Sequence, residues 1–231
     1  MSRRFFALAA FVTTAVGAGL IVAAVVAIPR LWLGGFVSEA GVASSGHAGT
    51  YRLGAAAVAL GQALFAIALS RSSYASRWAW LLPLTVGLVA VDAVFGGVSA
   101  GVSCSPGCPL PPHETPTARD LVHGGASILA VGLLGLALLC IAVLWPPGPL
   151  ARPSRVAAAV VVPLLAADGL AILIVGRGHV TGLLERASLL AAVAWTLVAC
   201  ALLLRTAPPS HPARRWRRAR SADRSESRLT H

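Results

Sequence analysis

Two acidic residues, Asp92 and Asp168, lie inside long apolar stretches of this sequence. At 1.5 Å per helical residue, they lie about 14 Å and about 10 Å from the nearer ends of those stretches. An ionised carboxylate at such a depth in lipid costs on the order of 3 kcal/mol, so each acid is expected to be protonated, paired or beside water. Buried acids of this kind can carry protons or hold the polar group of a ligand.

Candidate partners for these acids lie at the outer ends of the apolar stretches, namely Arg52, His123, Arg177 and Arg186. Long arginine side chains can reach into a helical bundle from its end or extend outward. The functional interpretation is a polar pocket at the outer end of the molecule. The alternative is a structural network of ion pairs and hydrogen bonds that holds the helices in register. The candidate pocket residues are Glu39, Arg52, Asp92, His123, Asp168, Glu185 and Arg186.

Cys104 and Cys108 flank a Pro-Gly turn. This C-x3-C spacing can close a small ring, and an oxidising compartment on the outer side favours a disulfide. Two free thiols are the alternative. No second closely spaced pair of ligands follows, so the pattern predicts neither a metal site nor a cofactor. Cys140 and Cys200 lie within apolar stretches, where small packing residues are common.

Six stretches of the chain have the roughly 20 mostly apolar residues that a helix needs to cross about 30 Å of hydrocarbon. Charged residues make up 12% of the chain, compared with about 25% in soluble proteins. Lipid-exposed backbone must satisfy its own hydrogen bonds, and the stretches lack the alternation of a membrane barrel. The sequence therefore predicts an all-α bundle of six transmembrane helices, with spans at about 5–29, 52–70, 79–102, 121–145, 156–175 and 187–204.

The placement of arginine predicts the orientation of these spans. If the N-terminus is inside, fourteen arginines fall on the inner side and five on the outer side. This distribution predicts a multi-pass membrane protein with both termini in the cytoplasm. Trp32, Trp78, Trp80 and Trp145 lie at predicted boundaries, as interfacial anchors do.

The C-terminal segment, residues 205–231, holds eight of the nineteen basic residues and is rich in Pro and Ser. Such a composition cannot build a core, so the segment is predicted to be a disordered cytoplasmic tail. Beside the inner leaflet it should attract anionic lipid headgroups at about 1 kcal/mol per basic residue. Because the charge is concentrated in this short tail, no nucleic-acid partner is expected. The tail also serves as an orientation signal.

Small residues are common within the spans and allow helices to approach closely in lipid. Gly97 and Gly101 form a G-x-x-x-G pair, and Gly54 and Gly61 lie one heptad apart. Close packing within one bundle is the favoured interpretation. A face that pairs two copies into a homo-oligomer is the alternative.

Three short motifs resemble the pattern of a bacterial membrane family known as domain of unknown function 998. They are Ser38-Glu39-Ala40-Gly41 after the first span, His123-Gly124 opening the fourth, and Gly182-Leu183-Leu184-Glu185-Arg186 opening the sixth. The resemblance covers nearly the whole chain. It implies a six-span inner-membrane protein in which Glu39, His123 and Arg186 share an outer site, and it assigns no activity.

The chain departs from that pattern in its second outer loop, where many relatives would carry an acid and Ser105 stands here. If the acid has a chemical role in the family, Asp120 or Glu114 is the replacement expected in this chain.

Three functions fit these observations. The first is a pocket that binds or transports a small molecule, lipid or proton through Asp92 and Asp168. The second is a lipid-directed hydrolase with His123 as base or metal ligand, and the third is a structural partner in a membrane complex. The sequence has no obvious repeat or broken helix pair, which weighs against transport. It also has no H-E-x-x-H motif, so a non-enzymatic pocket is favoured.

Overall fold

The computed structural model describes residues 1–32, 34–72, 80–144 and 148–205. Within these ranges the chain is all-helical and contains no strand. Six of the helices are long and apolar enough to cross a membrane, which confirms the predicted fold class. The long helices are α1 (Arg3–Val26), α2 (Ala48–Ser70), α3 (Leu81–Gly101), α4 (Ala118–Leu139), α5 (Ala151–Ile174) and α6 (His179–Arg205). The predicted anchors Trp78 and Trp145 and the tail after Arg205 lie outside the described residues.

Several helices extend beyond the apolar stretches from which they were predicted. The largest extension is in α6, which begins at His179 and therefore holds Glu185 and Arg186 inside its second turn. After the last residue of α4, a π-helical turn covers Cys140–Leu144. Arg155 donates a hydrogen bond of 2.9 Å to the Ala142 carbonyl in this turn. Polar residues continue a helix at its ends because the backbone hydrogen bonds do not depend on apolar side chains.

The six helices form a closed ring. Each helix packs against its neighbours along the chain, and α6 returns to pack against α1. Arg71, at the end of α2, donates a hydrogen bond of 2.9 Å to the Met1 carbonyl. The N-terminus and the C-terminal end of α2 therefore share one end of the ring, called here the proximal end. The opposite, distal end is built from three distal segments, residues 27–47, 102–117 and 175–178.

The proximal half of the ring is filled by an apolar core to which all six helices contribute. At its centre the rings of Phe65 and Trp195 meet edge to face, with centroids 5.9 Å apart. The Trp195 indole donates a hydrogen bond of 3.0 Å to the Ser154 hydroxyl, so its polar group is satisfied inside the core. This packing closes the ring at the proximal end.

Helices α1 and α2 approach most closely where two glycines face each other. A Cβ atom on Gly17 would lie 2.6 Å from the Gly54 carbonyl oxygen, and one on Gly61 would lie 2.2 Å from the Thr14 hydroxyl. Gly54 and Gly61 thus pack within the bundle, as predicted. A Cβ atom on Gly97 or Gly101 would meet nothing within 4 Å among the described residues, so the prediction of close packing within the bundle is wrong for that pair.

Candidate functional site

A cavity of about 840 Å³ lies inside the distal half of the ring. All six helices line it, and five of them contribute apolar side chains, whereas α3 contributes Asp92, Gly96 and Ser99. Its volume is typical of the cavities that hold small-molecule ligands in proteins. Most of the residues predicted to form a pocket line this one cavity, namely Asp92, His123, Asp168, Glu185 and Arg186. The other two, Glu39 and Arg52, lie outside its wall.

Glu39 forms an ion pair that joins the first distal segment to the third. The Nε and Nη2 atoms of Arg177 each donate to one carboxylate oxygen of Glu39, both at 2.7 Å. Glu39 is 2% exposed and Arg177 is 40% exposed. Glu39 also accepts a hydrogen bond of 2.9 Å from the Phe36 N–H. The hydrogen bond to Glu39 raises the pKa of Arg177, so the guanidinium remains charged.

Arg52 caps the distal end of α3. Its Nε and Nη2 atoms donate to the carbonyls of Ala100 and Gly101 at 3.1 Å and 2.6 Å. The last carbonyls of a helix lack hydrogen-bond donors within the helix, and Arg52 supplies two such donors. Its position therefore indicates a structural contact between α2 and α3.

Glu185 and Arg186 hold the first distal segment over the cavity. The Glu185 carboxylate accepts a hydrogen bond of 2.7 Å from the Val37 N–H. Arg186 donates to the carbonyls of Gly35 and Leu31, across the end of α6. Gly182 makes this close approach possible, because a Cβ atom there would lie 2.6 Å from the Gly35 oxygen. The first distal segment thus covers the cavity.

His123 is held by the end of α3. Its Nδ1 atom lies 2.7 Å from the Val102 carbonyl oxygen and 3.0 Å from that of Ser99. Carbonyl oxygens only accept hydrogen bonds, so Nδ1 carries a proton, and in the neutral form of the ring Nε2 is the nitrogen with the lone pair. The side chain is 5% exposed, and Nε2 has no hydrogen-bond partner among the described residues.

Asp120 organises the second distal segment. One of its oxygens accepts a hydrogen bond of 2.6 Å from the Ser105 N–H. The other accepts from the Thr117 N–H at 2.8 Å, which completes a capping box at the start of α4. Asp120, one of the two acids suggested as a replacement in this loop, therefore contacts Ser105. Glu114 is exposed.

Cys104 and Cys108 lie with their sulfur atoms at bonding distance and their Cα atoms 5.0 Å apart, as the predicted disulfide requires. Both are buried and line the cavity. One ligand atom from each of Cys104, Cys108 and His123 lies within 4.8 Å of the others. This cluster was not predicted from the sequence, because only ligand pairs that are close along the chain were considered there.

The two intramembrane acids reach the cavity without a partner in the described part of the protein. The Oδ2 atom of Asp92 and the Oδ1 atom of Asp168 are buried and form no hydrogen bond there. The arginines considered as their partners are engaged elsewhere, Arg52 and Arg186 with carbonyls and Arg177 with Glu39. The acids therefore offer hydrogen-bonding capacity to whatever occupies the cavity.

Gln62 also lines the cavity, although it was not predicted as a pocket residue from the sequence. Its Nε2 atom donates a hydrogen bond of 3.3 Å to the Thr196 hydroxyl. Its Oε1 atom is buried without a partner among the described residues. An amide within an apolar stretch is a signal that could have singled it out, because buried polar groups need partners.

The fold and the site together define a class of protein, a multi-pass membrane protein whose six helices enclose a mostly apolar cavity. Comparisons of the chain with family models, with curated proteins and with solved structures give no match. The cavity is therefore the feature on which a proposal of its function rests.

Proposed function

We propose that this protein binds an amphiphilic molecule, a lipid or a lipid-like small molecule, in the distal cavity. The observation that carries the proposal is that one carboxyl oxygen of Asp92 and one of Asp168 have no partner among the described residues, in a mostly apolar cavity. A buried polar group without a partner costs about 1–3 kcal/mol. A ligand with a hydroxyl, amine or amide hydrogen would offset that cost.

The remaining polar atoms of the cavity suggest the chemistry of the ligand's head group. Arg186 has an unpartnered Nε donor, and Gln62 has an unpartnered Oε1 acceptor. A head group with both donors and acceptors would satisfy these atoms together with the two acids. The apolar walls, which α1 and α4 supply in part through Ile21, Val25 and Val131, would hold an acyl or terpenoid chain.

A lipid-directed hydrolase is the second candidate, and it rests on His123. An unprotonated Nε2 atom in the cavity has the form that a general base needs. The nearby hydroxyls of Ser99 and Ser127 hydrogen-bond each other at 2.7 Å, and Ser99 lies on the Nδ1 side of the ring. Nucleophilic catalysis needs a nucleophile within reach of the base, so this geometry favours binding over hydrolysis.

Replacing Asp92 or Asp168 with leucine is expected to weaken ligand binding by about 10-fold or more while leaving the fold intact. Each change removes a carboxyl group that has no partner in the described protein and keeps a similar volume. About 1.4 kcal/mol of lost hydrogen bonding corresponds to that factor. Native mass spectrometry of the detergent-purified protein with added bacterial polar lipids measures the occupancy, and a thermal melt measures the fold.

Thr14→Val is the matched control for these variants. Its hydroxyl is also buried without a partner among the described residues, but Thr14 does not line the cavity. This variant should keep the ligand at wild-type occupancy. Undiminished ligand in both leucine variants would refute the proposed pocket. A loss of folding in both would favour a structural partner in a membrane complex.

We also propose that the protein lies in a bacterial plasma membrane with its proximal end in the cytoplasm. The arginine distribution and the contact between Arg71 and Met1 support this orientation. In it, the Arg-rich tail would meet the anionic inner leaflet. Membership of the family known as domain of unknown function 998 remains a proposal, supported by the gathering of Glu39, His123 and Arg186 at the distal end.

Alkaline phosphatase fused after Arg71, Gly148 or Arg205 is expected to be inactive, because the enzyme folds only outside the cytoplasm. The matched fusion after Ser105, in the second distal segment, should be active. The fusions are compared by their phosphatase activity, normalised to the amount of each fusion protein. The reverse pattern would show that the distal end faces the cytoplasm.

A further inference from the structure

We propose that Cys104, Cys108 and His123, when the two cysteines are reduced, form a binding site for a thiophilic d10 metal ion, Zn²⁺ or Cu⁺. The two cysteine sulfur atoms and one ring nitrogen of His123 already lie within 4.8 Å of one another. Around one zinc ion bonded at about 2.0–2.3 Å, ligand atoms lie roughly 3.5–4 Å apart. On reduction, the two sulfur atoms must separate from bonding distance to that spacing by rotation of the cysteine side chains, whose Cα atoms are 5.0 Å apart.

The hydrogen bonds of His123 prepare it as a ligand. Its Nδ1–H is directed at the Val102 carbonyl oxygen, 2.7 Å away, which leaves Nε2 as the nitrogen that can bind an ion. Histidines that bind metals usually donate their other ring N–H to a carbonyl or carboxylate, which fixes the tautomer. The Nε2 atom is buried and has no partner in the described protein, so a bound ion would supply the missing interaction.

The donor set selects the kind of ion. Thiolate sulfur and imidazole nitrogen suit Zn²⁺ and Cu⁺, whereas Mg²⁺ and Ca²⁺ prefer oxygen ligands. Two thiolates, a neutral imidazole and Zn²⁺ sum to zero charge, which suits a buried site. The Ser38 hydroxyl donates a hydrogen bond of 3.4 Å to the Cys108 sulfur, and such a contact supports the thiolate form.

Disulfide and metal ion exclude each other at this site, because both use the same two sulfur atoms. One molecule of a dithiol reductant cleaves the disulfide, gives two cysteine thiols and is itself oxidised to a cyclic disulfide. The metal ion then replaces the two thiol protons, which pass to water. All three ligands line the cavity, so the fourth coordination position of the ion would face it. The metal site does not depend on whether the cavity also binds an amphiphile.

The experiment uses the full-length protein in detergent, reduced with a dithiol, desalted under argon and titrated in competition with a chromophoric chelator. One arm uses Zn²⁺ alone and the other uses Cu⁺ alone. The reduced protein is expected to bind one equivalent in at least one arm. The oxidised protein is expected to bind more than about 100-fold more weakly. Cys104→Ser and Cys108→Ser should each weaken binding to a similar extent, since loss of a ligand exceeds the 10–100-fold effect of a supporting residue.

The doubly substituted Cys140→Ser, Cys200→Ser variant is the matched control, because these two cysteines are free and lie outside the cluster. It should bind as the wild type does. X-ray absorption of the loaded wild type should show two sulfur ligands and at least one imidazole nitrogen, and this readout holds even if a serine variant fails to fold. The proposal is overturned if the reduced wild type binds neither ion, if the control loses binding, or if the metal shell lacks the imidazole.

Discussion

Replacing Arg177 with methionine is expected to lower the free energy of unfolding by about 3–5 kcal/mol, the range found when one partner of a buried ion pair is removed. The reason is the environment of Glu39, which is 2% exposed and would keep a charge with no counterion. The Phe36 N–H would remain its hydrogen-bond donor, but one neutral donor cannot replace a bidentate guanidinium. Reversible unfolding in mixed micelles of mild detergent and dodecyl sulfate provides the measurement.

The partner substitution, Glu39→Gln, is expected to cost less, about 1–2 kcal/mol for a lost charged hydrogen bond. Arg177 is 40% exposed, so water can solvate its guanidinium once Glu39 is neutral. The double variant should therefore be more stable than Arg177→Met alone. Arg30→Met, at an exposed arginine of the same distal end, should change stability by less than about 0.5 kcal/mol. Equal and small effects of both single variants would contradict a buried pair.

Gly17→Ala is expected to destabilise the protein by about 1–3 kcal/mol, as overpacking of a filled interior does. The added Cβ atom would lie 2.6 Å from the Gly54 carbonyl oxygen and 2.8 Å from the Val58 nitrogen. Both are backbone atoms, so α1 and α2 must move apart to accept it. Helix separation would also loosen the cavity wall, to which the next turn of α1 contributes Ala18 and Ile21.

Gly19→Ala is the matched control, in the same helix two residues further on. A Cβ atom there meets nothing within 4 Å among the described residues. Alanine favours a helix over glycine by about 1 kcal/mol, so this variant should be neutral or stabilising. The same unfolding assay compares the two. Gly54→Ala should resemble Gly17→Ala, and the double variant should cost less than the sum, because the helices separate only once. A neutral Gly17→Ala would show that the crossing is looser than described.

Several features follow from the sequence because they depend on local composition alone. The bilayer requires a minimum length of apolar helix, so hydropathy is enough to predict six helices, and the part of the chain that the structure describes has six of that length. The placement of Asp92 and Asp168 within spans follows from the same count. The approach of Cys104 and Cys108 is also local, since the Ser105 carbonyl and the Cys108 N–H close the turn between them with a hydrogen bond of 2.9 Å.

The partners of the polar residues were decided by the tertiary structure. Glu39 pairs with Arg177 across 138 positions of sequence, while Arg52, an equally reasonable partner, caps α3. His123 meets the cysteines because the second distal segment folds back on α4, and Gly97 faces away from its neighbours whereas Gly54 meets α1. Apolar sequence does not specify these choices, because lipid offers no hydrophobic gain for turning one apolar face inward rather than another. These partner choices depend on close helix packing, on the positions of carbonyl groups and on the contacts among the three distal segments. Such contacts exist only once the ring has closed.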